Sequence, residues 1–206
     1  DTTAGTGIRN FEVGRVDVTA LVSGKVGNGG NIFEFLVDET VAGNTLLIEG
    51  TSLSVIYSNS NLPERTIVLL EGGVANGETP RSTTISFASP IDTSVPNFSA
   101  ELAVGIEGSV LNSGLNGQST AIDINGQRLT SSAGDLDDGF IITNAVDGAG
   151  AAITVGGVGD NLTNPTDPNN MRDLSDDERY DLTSFLKDGD TSLELTTTAT
   201  DSDIFF

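Results

Sequence analysis

The amino-acid sequence predicts an all-β protein: an antiparallel β-sandwich, jelly-roll-like, with one short helix near the C-terminus. Three observations predict it. Short apolar segments alternate with polar residues at period two, which places every second side chain on one face of a strand. Gly, Asn and Ser clusters punctuate these segments, as they do in antiparallel sandwiches. One stretch, "LSDDERYDLTSFLKDGD", departs from that period. At 206 residues the chain suits one large β domain spanning residues 1–206. No repeat of about 20 to 50 residues points to a solenoid or propeller.

The predicted strands run in order through "FEVGRVDVTALV", "NIFEFLVD", "NTLLIEG", "SLSVIYS", "RTIVLLEG", "TTISFA", "FSAELAVGIEG", "TAIDI", "QRLTSS", "FIITNAV", "AAITVGG" and "SLELTTT". In "SLSVIYS", Leu53, Val55 and Tyr57 share one face, while Ser52, Ser54 and Ile56 share the other. "NSNLPE" supplies turn residues, and "RTIVLLEG" returns as an apolar run suited to the middle of a sheet. These two arms are expected to form a core hairpin. A second hairpin has stronger local chemistry, because "STAIDINGQRLTSS" places Asn125-Gly126 between alternating runs and so favours a type I′ turn.

The helix is expected after Ser175, which stands with Glu178 as a capping box and is followed by Asp176 and Asp177 in the first turn. Leu182, Phe185 and Leu186 give an apolar stripe, with Lys187 and Gly189 suited to the C-terminal end. Ahead of it lies "GGVGDNLTNPTDPNNMRD", a long polar loop of the kind that is functional or metal-stabilised when ordered.

Charge and composition exclude several functions. Thirty acidic residues against nine basic ones give a formal charge of −21. Such a surface repels phosphate backbones and anionic lipid, so neither nucleic acid nor a membrane surface is the expected partner. The chain has no Cys, His or Trp, which excludes thiol, imidazole and Cys/His-zinc chemistry. No apolar run approaches the roughly 20 residues of a membrane helix. The chain opens "DTTAGTGIRN", as a processed or excised segment would.

"VDVTALV", "GTSLSVIYSNSNLPERTIVLLEGG", "IDINGQRLTSSAGDLDDG" and "DDERYDLTSFLKDGDTSLEL", in this order, resemble a family of bacterial extracellular domains of unknown function. These domains occur in secreted proteins and in surface proteins bearing sorting signals. The resemblance spans roughly Val16 to Phe206 and implies a β-sandwich surface module without an established catalytic site. It also implies further strand-forming sequence ahead of "VDVT", where this chain has a short polar lead. A neighbour supplying a strand is the corresponding expectation.

Of the candidate chemistries, calcium is the best motivated, since hard cations take several oxygens from carboxylates, amides and carbonyls. "DLDDG" offers Asp135, Asp137 and Asp138, and "GDNLTNPTDPNN" offers Asp160, Asn161, Asp167 and Asn169. Neither loop is an EF-hand. Counted from Asp135, position twelve is Val146; counted from Asp167, Met171 and Arg172 stand where an oxygen ligand and Gly are needed. Glycoside hydrolysis is poorly served, because Glu101 and Glu107 on one strand would stand about 20 Å apart. The Phe residues fall inside apolar runs and give sugars few stacking platforms. Lys25 and Lys187 sit in no catalytic signature, though Lys25 could enter a Lys–Asn crosslink.

The expectation is a non-enzymatic extracellular or cell-surface module, structural or adhesive, that self-associates by strand addition into a homopolymer. Residues 1–10 and 196–206 are the segments expected to reach a neighbouring subunit; the competing expectation is a calcium-dependent carbohydrate-binding module taking surface glycans.

Overall fold

The computed structural model describes residues 2–4, 7–9, 14–27, 32–37, 51–70, 80–107, 120–133, 153–157, 159–162, 165–170, 178–198 and 204–205. In chain order these form β1 (Thr2–Ala4), β2 (Gly7–Arg9), α1 (Thr19–Val26), β3 (Arg81–Ser86), β4 (Glu101–Ala103), β5 (Gly105–Glu107), β6 (Thr120–Ile124) and β7 (Gln127–Ala133). Then come β8 (Ile153–Val155), β9 (Arg179–Asp181), a 3-10 turn at Thr183–Phe185, β10 (Ser192–Thr198) and β11 (Ile204–Phe205). Every described pairing is antiparallel, as the period-two pattern predicts.

The main sheet has four strands in the order β3-β10-β6-β7. Its anchor is the β6–β7 hairpin at Asn125-Gly126. Both turn residues take positive φ, 50° and 74°, which is the type I′ requirement that Asn and Gly meet with least strain. Ile124 and Gln127 face each other across the turn, and the register then shifts twice between Thr120 and Asp123. Next to it, β10 keeps an unbroken register with β3 from Ser192↔Ser86 to Thr197↔Arg81.

The core gathers where this sheet meets the segment carrying β9. Ile106, Ile122, Ile124, Leu129, Ala133, Tyr180, Leu182, Leu186 and Leu193 form one buried cluster, with Ile85, Phe87, Phe98, Leu102, Phe185 and Leu195 packed against it. Burying a side chain of this size contributes about 1.5–3 kcal/mol. Smaller sheets adjoin: β11-β5-β8, β4-β9 and β1-β2. Val104, between β4 and β5, links two of them, since its N–H donates to the Glu178 carbonyl and its carbonyl accepts from the Gly156 N–H.

Three sequence expectations are corrected. The C-terminal helix is not formed in the described part of its stretch: Arg179–Asp181 is β9, paired with β4 at Leu102↔Tyr180, and only the 3-10 turn is helical. Glu178, Tyr180 and Leu182 are all buried, so a period-two face is used and tertiary pairing overrides the capping box. Ser175, Asp176 and Asp177 lie outside the described residues.

The α-helix sits instead at Thr19–Val26, inside the run expected to be the first strand. Asp17 Oδ1 accepts from the Thr19 N–H and the Val18 carbonyl accepts from the Leu21 and Val22 N–H groups, so a local turn starts the helix. It buries no residue.

The expected core hairpin at residues 52–70 also departs from its reading. Residues 59–62 do form the turn, with the Leu62 N–H on the Asn59 carbonyl at 3.0 Å and the Asn61 N–H on Asn59 Oδ1 at 2.9 Å. Its arms are not strands, however, and every residue from 51 to 70 is exposed. Period-two patterning sets which face a strand would bury; it does not supply the neighbour. "NIFEFLVD" behaves alike over residues 32–37, with Ile32 and Leu36 exposed.

Candidate functional site

A small cleft opens beside the tip of the β6–β7 hairpin. Asn125, Gln127, Phe185, Lys187, Asp190 and Ser192 line about 190 Å³. Its walls are fixed by hydrogen bonds to the backbone on two sides. Asn125 donates through Nδ2 to the Phe185 carbonyl at 3.1 Å and accepts at Oδ1 from the Glu194 N–H at 2.9 Å, tying the hairpin tip to the 3-10 turn and to β10. Asp190 Oδ2 accepts from the Lys187 N–H at 2.8 Å, closing a turn that Gly189 completes at φ 84°.

Behind the Asp190 turn lies the loop after β3, which is bonded to it. The Ile91 N–H donates to the Asp190 carbonyl at 2.8 Å, and the Thr93 N–H to Asp188 Oδ1 at 3.2 Å. Asp92 steadies this loop from within: the Ser94 hydroxyl and N–H both donate to its carboxylate, holding its pKa below the ordinary 3.8. The cleft thus offers one half-buried aromatic ring, two amides, a hydroxyl, an ammonium and a carboxylate. Chemically, such a set offers hydrogen bonds and a ring face to a small polar group, and the volume is below the roughly 300 Å³ at which drug-sized sites begin.

The calcium candidates are not brought together among the described residues. Asp160 Oδ2 accepts from the Gly157 N–H at 2.9 Å and Asp167 Oδ1 accepts from the Asn169 N–H at 3.0 Å, so each closes its own turn. Asp135, Asp137 and Asp138 lie outside the described residues. Among the described residues no group of three or more acidic side chains could hold a metal ion.

Other singled-out residues have structural partners. Glu101 pairs with Arg179 at 2.6 Å across β4 and β9. Lys25 is exposed, donates to the Glu34 carbonyl and lies 5.0 Å from the centre of the Phe35 ring, away from any buried crosslink. Lys187, Phe185 and Gly189 were readable only as helix residues; the signal for the cleft was the Asn-Gly turn, whose partner across space no local pattern names. Among the described residues no helix is long and apolar enough to cross a membrane. No family model matches the chain, and no curated protein or solved structure matches it.

Proposed function

We propose that this protein is a non-enzymatic extracellular structural and adhesive module, an antiparallel β-sandwich of jelly-roll type that joins further copies of itself by strand addition. The observation that supports this reading best is the open side of the main sheet. β3 pairs with β10 alone among the described residues, and its residues are exposed except for half-buried Ile85. An unpaired strand edge is a template for another strand. The resemblance to bacterial surface domains and the strongly acidic composition agree with such a setting. Negative-stain electron microscopy of the purified chain, in calcium and again in chelator, tests it. Regular filaments are the expected result; discrete single particles in both conditions would sink it.

The cleft favours a second reading, a carbohydrate-binding module, because it pairs the Phe185 ring with polar groups from separate segments. Under this reading the melting temperature rises with a cognate glycan by mass action, and Phe185→Ala abolishes that rise. A glycan array with no signal removes this reading and leaves the first in place.

A further inference from the structure

The pair Asn125-Gly126 carries a reaction of its own. In an Asn-Gly pair the backbone nitrogen of the glycine can attack the asparagine Cγ, because glycine has no Cβ to restrict the approach. The new N–Cγ bond closes a five-membered succinimide, the Cγ–Nδ2 bond breaks, and ammonia leaves with the proton that the glycine nitrogen gives up. Water then adds across either imide C–N bond and leaves aspartate or isoaspartate at position 125. Water is the only co-reactant.

Access does not limit this reaction. Gly126 is exposed, and a Cβ built on it would meet nothing within 4 Å, so solvent reaches the turn. What the fold restrains is the amide. Nδ2 donates to the Phe185 carbonyl at 3.1 Å and Oδ1 accepts from the Glu194 N–H at 2.9 Å, while the Asn125 N–H donates to the Glu194 carbonyl at 2.9 Å. These bonds hold the side chain between two other segments and hold the backbone that carries it. The ladder holds the turn from below, where Ile124 pairs with both Gln127 and Leu195. Ring closure needs rotation about the Cα–Cβ and Cα–C bonds of Asn125, which takes the amide from both partners and the Gly126 nitrogen out of the type I′ turn.

We propose that Asn125-Gly126 is a self-modifying site latched by the fold, its conversion gated by release of the hairpin tip from the 3-10 turn and β10. The native conversion rate is then that of the unrestrained pair multiplied by the fraction of time the tip is open, as for any chemistry confined to a locally opened state. The step does not reverse. An aspartate at position 125 has no donor for the Phe185 carbonyl, and it sets a carboxylate against that carbonyl in a cleft lined by Asp190 as well as Lys187. An isoaspartate lengthens the main chain by the Cβ atom, so Ile124 and Gln127 cannot keep their register across a two-residue turn. A tip that stays open long enough to react therefore does not close as before, and the cleft loses the wall that Asn125 builds. The site is independent of both functional readings above.

The full chain is incubated in mildly alkaline buffer, native and in urea, and is then cut before its aspartates. Residues 123–134 emerge as one fragment between Asp123 and Asp135, with Asn125 as its sole asparagine, and mass spectrometry follows the loss of the unconverted fragment. Conversion in the native chain is expected to be at least tenfold slower than in urea. The slowing is expected to match, within about threefold, the protection of the Glu194 N–H against hydrogen exchange, because the same opening frees that N–H. Native conversion as fast as in urea overturns the latch, and so does a slowing that departs further from the Glu194 protection. As a second arm, the Asn125→Asp chain is expected to unfold at a lower urea concentration than the original; an unchanged midpoint overturns the one-way step.

Discussion

Asn125, an exposed polar residue, ties the hairpin tip to two other segments. Its backbone takes the left-handed conformation of the turn, its N–H donates to the Glu194 carbonyl, and both side-chain atoms bond to separate segments. Asn125→Ala is therefore expected to cost about 1–3 kcal/mol, since two backbone groups lose partners and Ala tolerates positive φ poorly. Urea unfolding measures this, and Asn125→Gly, which keeps the backbone freedom, should recover part of it. Tyr180 makes a second residue-scale case. Its hydroxyl donates to Glu178 Oε2 at 3.2 Å with both residues fully buried, and Tyr180→Phe is expected to destabilise by about 1–3 kcal/mol.

Two carboxylates link residue chemistry to pH. Asp17 and Asp92 have pKa values lowered by bonds from the side chain and N–H of Thr19 and Ser94 respectively. A lowered native pKa means the stabilisation is fully present above the ordinary value of 3.8 and is lost as pH falls through the native value. Asp92→Asn should accordingly flatten the acid limb of a melting-temperature profile below about pH 4 and leave the neutral region nearly parallel.

Among the elements, the strand ladders rest on close backbone approach as much as on side-chain burial. At Gly156 a Cβ would collide with the Glu178 carbonyl oxygen, next to the bonds that join Val104 to both segments. Gly156→Ala is expected to cost about 1–3 kcal/mol, by overpacking against backbone that cannot yield, and should raise amide exchange in β5, β8 and β9 first. Ile122→Ala, in the fully buried core, should cost about 2–5 kcal/mol.

These elements also mark what the sequence makes legible. β3, β6, β7 and β10 follow directly from alternation and from the Asn-Gly turn, because the forces that set them are local or act between neighbours in the ladder. The region after Ser175 reads as a helix because Ser175 and Glu178 satisfy a local rule. The outcome there is decided by β4, more than 70 residues earlier, whose Glu101 meets Arg179 at 2.6 Å. The cleft was illegible for the same reason, as Gln127 and Lys187 meet only through the fold.

At the scale of the whole molecule, the acidic charge opposes the proposed self-association, and the exposed apolar side chains of residues 51–70 favour it. The repulsion between copies is long-ranged and falls with ionic strength, whereas burial of apolar side chains is not screened. Assembly is therefore expected to strengthen between 20 mM and 300 mM salt, read as a rise in mean filament length or sedimentation coefficient. Divalent cations should act at lower concentration than sodium. A fall in assembly with salt would mean that ion pairs, not apolar burial, hold the copies together.

The main sheet ends differently on its two sides. β3 offers six residues in regular register, whereas β7 is paired to β6 through two shifts, and such bulges twist and blunt an edge. Under the proposed strand addition, a copy built this way has one receptive side among the described strands of the main sheet. Growth would then be unbranched and polar, with each new subunit facing the same direction and one end of the fibre carrying a β3 that no neighbour covers. Capping that end with a soluble fragment would stop elongation there and leave the opposite end untouched.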